Sequence, residues 1–107
     1  MKGPIMKKIK TTVKNNIGVP FTVILNKSGK TKYVSFFDAR YKKGFTEYGQ
    51  NVATYQMNTL LGKDGITKTS IKDHGLNLYG GVDDWYIDHK TSLKVYNWII
   101  KNKNKLN

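Results

Sequence analysis

Residues 33–62, YVSFFDARYKKGFTEYGQNVATYQMNTLLG, decide how the chain folds. They open on an aromatic run, Tyr33 to Phe37, whose composition favours a strand. The tetrad Asp38-Ala39-Arg40-Tyr41 leaves that strand, and Lys42-Lys43-Gly44 turns the chain. Beyond the turn the residues carry a helical period. Tyr48, Val52, Tyr55 and Thr59 share one stripe, and Ala53, Met57, Leu60 and Leu61 the stripe beside it, which predicts an amphipathic helix over 46–61. Thr46 is its expected N-cap, Glu47 sits where the helix dipole favours a carboxylate, and Gly62 is the expected stop.

Upstream, 21–26 and 31–37 read as two strands around Lys27-Ser28-Gly29-Lys30, with Gly29 free to take a positive φ. Pairing Lys27 with Lys30 puts Phe21, Val23, Leu25, Val34 and Phe36 on one face, the expected core side. Thr22, Ile24, Tyr33, Ser35 and Phe37 fall on the other. Covered by a helix, that second face is a second core, the commoner outcome in small α+β domains. Left open, it offers Tyr33 and Phe37 for base stacking, with Lys30, Lys32 and Arg40 near for phosphate. Ser28-Gly29-Lys30-Thr31 resembles the end of a P-loop only in part. Ile24 stands where that motif needs glycine, and a strand follows where it needs a helix.

Residues 8–14 alternate, with Ile9, Thr11 and Val13 on one side and Lys8, Lys10, Thr12 and Lys14 on the other. The pattern predicts a strand with a cationic face, suited to a phosphate backbone and equally to protecting a sheet edge. Pro20 marks the start of the next strand. Near the C-terminus, Leu76 to Tyr79 alternate before the Gly80-Gly81 break, and 89–102 carry a helical pattern. There Leu93, Val95, Tyr96, Ile99 and Ile100 form an apolar arc opposite Lys90, Lys94, Asn97, Lys101 and Lys105, with Trp98 at the border. The lysine stripe is a solvated helix face or, with Trp98, a further binding surface.

The expected fold is therefore α+β, a small antiparallel sheet of three to four strands (8–14, 21–26, 31–37 and 76–79) with two packed helices (46–61 and 89–102). A length of 107 residues fits one domain, placed at 8–102, with a flexible N-terminus at 1–7 and a frayed basic tail at 103–107. Met6 is a possible second start, which would leave Met1 to Ile5 as a leader. Lacking cysteine, the chain has no disulfides, thiolate metal sites or thiol nucleophiles, which fits a reducing, cytoplasmic compartment. No apolar run reaches signal-peptide or membrane-span length.

The formal charge is +12 and unevenly placed: +10 over residues 1–45, −3 over 46–88 and +5 over 89–107. Such a field attracts polyanions, nucleic acid first. Four of the seven acids and both histidines lie between Asp73 and His89. Asp84, Asp88 and His89, with Asp73 or His74, have the donor types for a divalent metal. The spacing matches no metal motif, however, and turn formation by Asp83-Asp84 and helix capping by Asp88 account for these acids. No cofactor is expected.

The leading functional expectation is a non-enzymatic nucleic-acid-binding accessory protein, for DNA or RNA. Three cationic sets would hold phosphate: Lys8, Lys10 and Lys14; Lys30, Lys32 and Arg40; Lys94 and Lys101. Tyr33, Phe37 or Trp98 would stack on bases. Eighteen lysines against one arginine favour backbone attraction over bidentate base reading. The alternative is an inhibitor or regulator of the phage or mobile-element kind, docking on an acidic or nucleic-acid-binding host or defence protein. The lysine- and asparagine-rich composition resembles that of proteins from AT-rich bacteria, their phages or plasmids. A second alternative is a small metal-dependent nuclease using Asp84, Asp88 and His89.

Overall fold

The computed structural model describes residues 7–61, 75–78 and 82–106. Strands β1 (Lys8–Lys14), β2 (Pro20–Ser28), β3 (Thr31–Asp38) and β4 (Gln50–Gln56) form an antiparallel sheet in chain order. A short helix α1 (Met57–Leu61) comes next. Strands β5 (Leu76–Asn77) and β6 (Tyr86–Ile87) make a separate two-stranded ladder, and α2 (His89–Asn102) is the one long helix among the described residues. The class is α+β as expected, but with one substantial helix rather than two. The leader through Met6, Gly62, the stretch 63–72, Asp73, His74, Tyr79 and Gly80-Gly81 lie outside the described residues.

The helix expected over 46–61 is instead a turn followed by strand β4, with only Met57–Leu61 helical. Thr46 does not cap it: its hydroxyl donates to the Gly49 carbonyl at 2.8 Å and closes a turn before β4 begins. The helical period has a physical origin. The β3–β4 register shifts between Phe36 and Phe37, so that Phe36 faces Ala53 while Phe37 faces Asn51. The extra residue, Val52, joins Ala53 on the core side, and Tyr55 also packs there, its ring edge-on to Phe36. Inward positions 52, 53, 55 and 57 imitate a helix stripe over this short window.

The β2–β3 hairpin also differs from expectation by register. Lys27 faces Lys32, Leu25 faces Val34 and Val23 faces Phe36. The strands run on to Ser28 and Thr31, leaving Gly29-Lys30 as a two-residue turn with Gly29 at φ +60°. This is a two-residue slip from the expected pairing, and because side chains alternate with period two it leaves both faces unchanged. The strand expected at 76–79 pairs with β6 and does not join the main sheet.

One face of the sheet and the apolar arc of α2 enclose the core. Phe21, Val23, Leu25, Val34 and Phe36 meet Leu76, Ile87, Val95 and Ile99 there, all buried, each contributing about 1.5–3 kcal/mol. The helix has the expected limits and the expected cap: Asp88 accepts from the Thr91 backbone N–H at 3.1 Å and from its hydroxyl at 3.0 Å. The Thr91 hydroxyl also contacts the Lys14 carbonyl at 3.3 Å, fixing the start of α2 beside the end of β1. The folded unit continues past residue 102, where a frayed tail was expected. Lys103–Lys105 form a 3-10 turn, and the Leu106 side chain is 5% exposed within the core.

Candidate functional site

The outer face of the sheet is turned away from α2. Alternation and register place on it Lys8, Lys10, Thr12 and Lys14 of β1, then Thr22, Ile24 and Asn26 of β2, and Tyr33, Ser35 and Phe37 of β3. Asn51, Thr54 and Gln56 of β4 complete it. Among the described residues no helix covers this face, and Tyr33 and Phe37 both lie on it. Tyr33, Ser35 and Phe37 are partly exposed, and Lys8, Lys10, Lys14, Asn51, Thr54 and Gln56 are exposed.

Tyr48, from the loop between β3 and β4, lies across this face. The Tyr48 ring is 5.6 Å from that of Phe37, and the ammonium groups of Lys8 and Lys10 each lie 5.7 Å from its centroid. Those contacts span β1 to β3 and shelter Ile24, which is only 4% exposed. A hydrogen bond with Glu47 raises the Tyr48 pKa, so the phenol stays neutral beside the two lysines. A shallow cleft of about 350 Å³ beside it is lined by Lys10, Thr12, Thr22, Lys42 and Glu47. Along β3 and β4 the face is polar and hydrogen-bonded: Ser35 and Thr54 hydroxyls are 3.0 Å apart, and the Asn51 amide donates to Thr54 at 3.2 Å. The bulge permits this, since it brings Asn51 and Thr54 to the same side.

The expected binding residues divide accordingly. Lys8, Lys10, Lys14, Tyr33 and Phe37 share the outer face. Lys30 is exposed at the hairpin turn, whereas Lys32 is on the core side of the sheet and donates to the Lys103 carbonyl at 2.9 Å. Lys94 and Lys101 are exposed on α2, in the other layer, and Trp98 packs against the core. The three cationic sets do not form one surface. Tyr48 and Lys42 are the residues that local pattern did not assign to the site, because Tyr48 was placed on the stripe of a helix that is not there.

Arg40 is held internally. Its guanidinium donates to Asp38 through Nε at 3.1 Å and Nη2 at 2.8 Å, and Nη2 reaches Asp84 at 3.1 Å. The Trp85 indole N–H also donates to Asp38, at 2.9 Å. Burial pushes the Asp38 carboxyl up, but the bonds from Arg40 and Trp85 outweigh it and hold the pKa below the ordinary 3.8. The Asp38 bond in turn pushes the Arg40 pKa up. With Asp84 paired to Arg40, Asp88 capping α2 and His89 exposed at its first position, these three have separate roles. No group of three or more His, Cys, Asp or Glu able to hold a metal ion occurs among the described residues. Nor is any described helix long and apolar enough to cross a membrane.

No known protein family, curated protein or solved structure matches the chain.

Proposed function

We propose that the protein is a nucleic-acid-binding accessory protein that uses the outer face of its sheet. The observation that carries this reading is the convergence on one face of three β1 lysines with the rings of Tyr33, Phe37 and Tyr48. Lysines attract phosphate regardless of sequence, and partly exposed rings beside them give bases an apolar surface. The sole arginine is committed to Asp38 and Asp84, so little remains for bidentate reading of base edges. An acidic protein partner would be drawn by the same charge but would have less use for the exposed ring faces.

Charge-matched variants test this. Lys8→Gln/Lys10→Gln and Lys94→Gln/Lys101→Gln each remove two charges, from the sheet and from the helix respectively. Binding to a labelled oligonucleotide is measured at about 50 and 200 mM salt. The sheet pair should weaken affinity about tenfold at the lower salt and flatten the salt dependence, while the helix pair changes both much less. Equal effects would assign binding to overall charge instead of this face. No affinity at the lower salt would remove the proposal.

A further inference from the structure

Taking the outer sheet face as the nucleic-acid surface, we infer that its ligand is an unpaired RNA strand and not a duplex. The face is laid out in parallel rows. Lysines 8, 10 and 14 follow the β1 edge, the Tyr33 and Phe37 rings flank Ser35 on β3 with Tyr48 against Phe37, and the polar groups of Asn51, Thr54 and Gln56 follow β4. Four strands at about 4.8 Å spacing set the cationic and polar edges roughly 14 Å apart. Phosphates on one side, bases on the rings and sugars toward the polar row fit that order.

Two observations favour a single strand, and a third favours RNA. Tyr33 and Phe37 are four residues apart on β3, about 13 Å at 3.3 Å per residue, and Tyr48 lies against Phe37. Ring faces spaced along a sheet serve unpaired bases, since those of a duplex already stack on one another. Secondly, no described helix projects from this face to enter a major groove, and the Arg40 fork that would read a guanine edge is closed on two carboxylates. Finally, the Ser35 and Thr54 hydroxyls each donate and accept, as does a ribose 2′-hydroxyl, so the polar row favours RNA over DNA.

The test uses the full chain and three probes of one sequence, about twelve nucleotides long: single-stranded RNA, single-stranded DNA and duplex RNA. Fluorescence anisotropy at low salt should give affinity for single-stranded RNA about tenfold or more above the duplex and several-fold above DNA. Tyr33→Ala should lower single-strand affinity about tenfold, and Tyr33→Phe, which keeps the ring, should restore it. Ser35→Ala/Thr54→Ala should shrink the RNA-over-DNA preference while preserving binding to DNA. Thermal melts of each variant check that the fold is intact.

Duplex binding equal to single-strand binding, or no effect of Tyr33→Ala in a folded variant, would overturn the unpaired-strand inference while leaving nucleic-acid binding in place. Equal affinity for the two single strands would overturn the choice of RNA. Absence of binding to all three probes would remove both this inference and the proposal beneath it.

Discussion

Asp38 is fully buried, yet its carboxylate receives four donors: the Arg40 backbone N–H, its Nε and Nη2, and the Trp85 indole. That count decides between a structural and a binding role for the pair. A guanidinium that released this carboxylate to grip phosphate would leave a buried charge with too few partners, at a cost of several kcal/mol. Asp38→Asn should therefore destabilise the protein by about 2–4 kcal/mol at neutral pH. The pH dependence has a definite sign. A folded pKa below the ordinary 3.8 adds stability that is present above that value and is lost as pH falls through the lower folded one. Asp88, lowered by its Thr91 bonds despite burial, acts in the same direction in both proteins. The melting-temperature gap between the wild type and Asp38→Asn should thus narrow from pH 7 to pH 3. An unchanged gap would mean that the carboxylate's charge is not what stabilises this corner.

Among the elements, the loop that carries Tyr48 is constrained at its end by one glycine. Gly49 has φ +124°, and a Cβ there would run into the Asp38 carbonyl. Gly44 in the same loop also has a positive φ, +84°, but nothing lies within 4 Å of an added Cβ. Gly44→Ala should cost only about 1 kcal/mol of backbone strain, whereas Gly49→Ala should lower the melting temperature by about 10 °C or more. Similar losses would show that the close approach to Asp38 is relieved by movement of the loop. The sequence shows the inward and outward faces of β1, β2 and β3 because alternation is local and survives a two-residue slip. It shows α2 equally well, since a capping aspartate precedes an unbroken apolar arc. It misrepresents β4 because a bulge puts two neighbouring residues on one side, turning a period of two into an apparent period near 3.6. The content of Val52, Thr54 and Tyr55 and the glycine at 49 were the available counter-signals. For the candidate site, Lys8, Lys10, Lys14, Tyr33 and Phe37 are legible by alternation alone. Tyr48 is not, because its place depends on where a loop returns across the sheet.

At the scale of the whole molecule, positive charge covers both layers, with β1 lysines on the sheet and Lys90, Lys94 and Lys101 on α2. Composition reports the sum of such a distribution and cannot report which charges stand beside exposed rings. Nor can local pattern show the contacts that close the two layers on each other. Buried Asn15, between β1 and β2, donates to the carbonyls of Asp84 at 3.1 Å and Tyr86 at 2.9 Å, and accepts from Val19 N–H at 2.8 Å. Asp38 and Arg40 reach Asp84 and Trp85 from the neighbouring strand end.

Asn15 has a consequence for the order in which the molecule assembles. The ladders of the main sheet join strands that are neighbours in the chain, whereas the two Asn15 donor bonds span 69 and 71 residues. Closing so long a loop carries an entropic cost that successive hairpins avoid. The sheet should form early, and the segment leading into α2 should dock on it after the rate-limiting barrier. Asn15→Ala should then accelerate unfolding several-fold and leave the refolding rate nearly unchanged. Stopped-flow refolding and unfolding across a denaturant series would measure this. A slowed refolding limb would instead place the docking of the last third of the chain inside the folding nucleus.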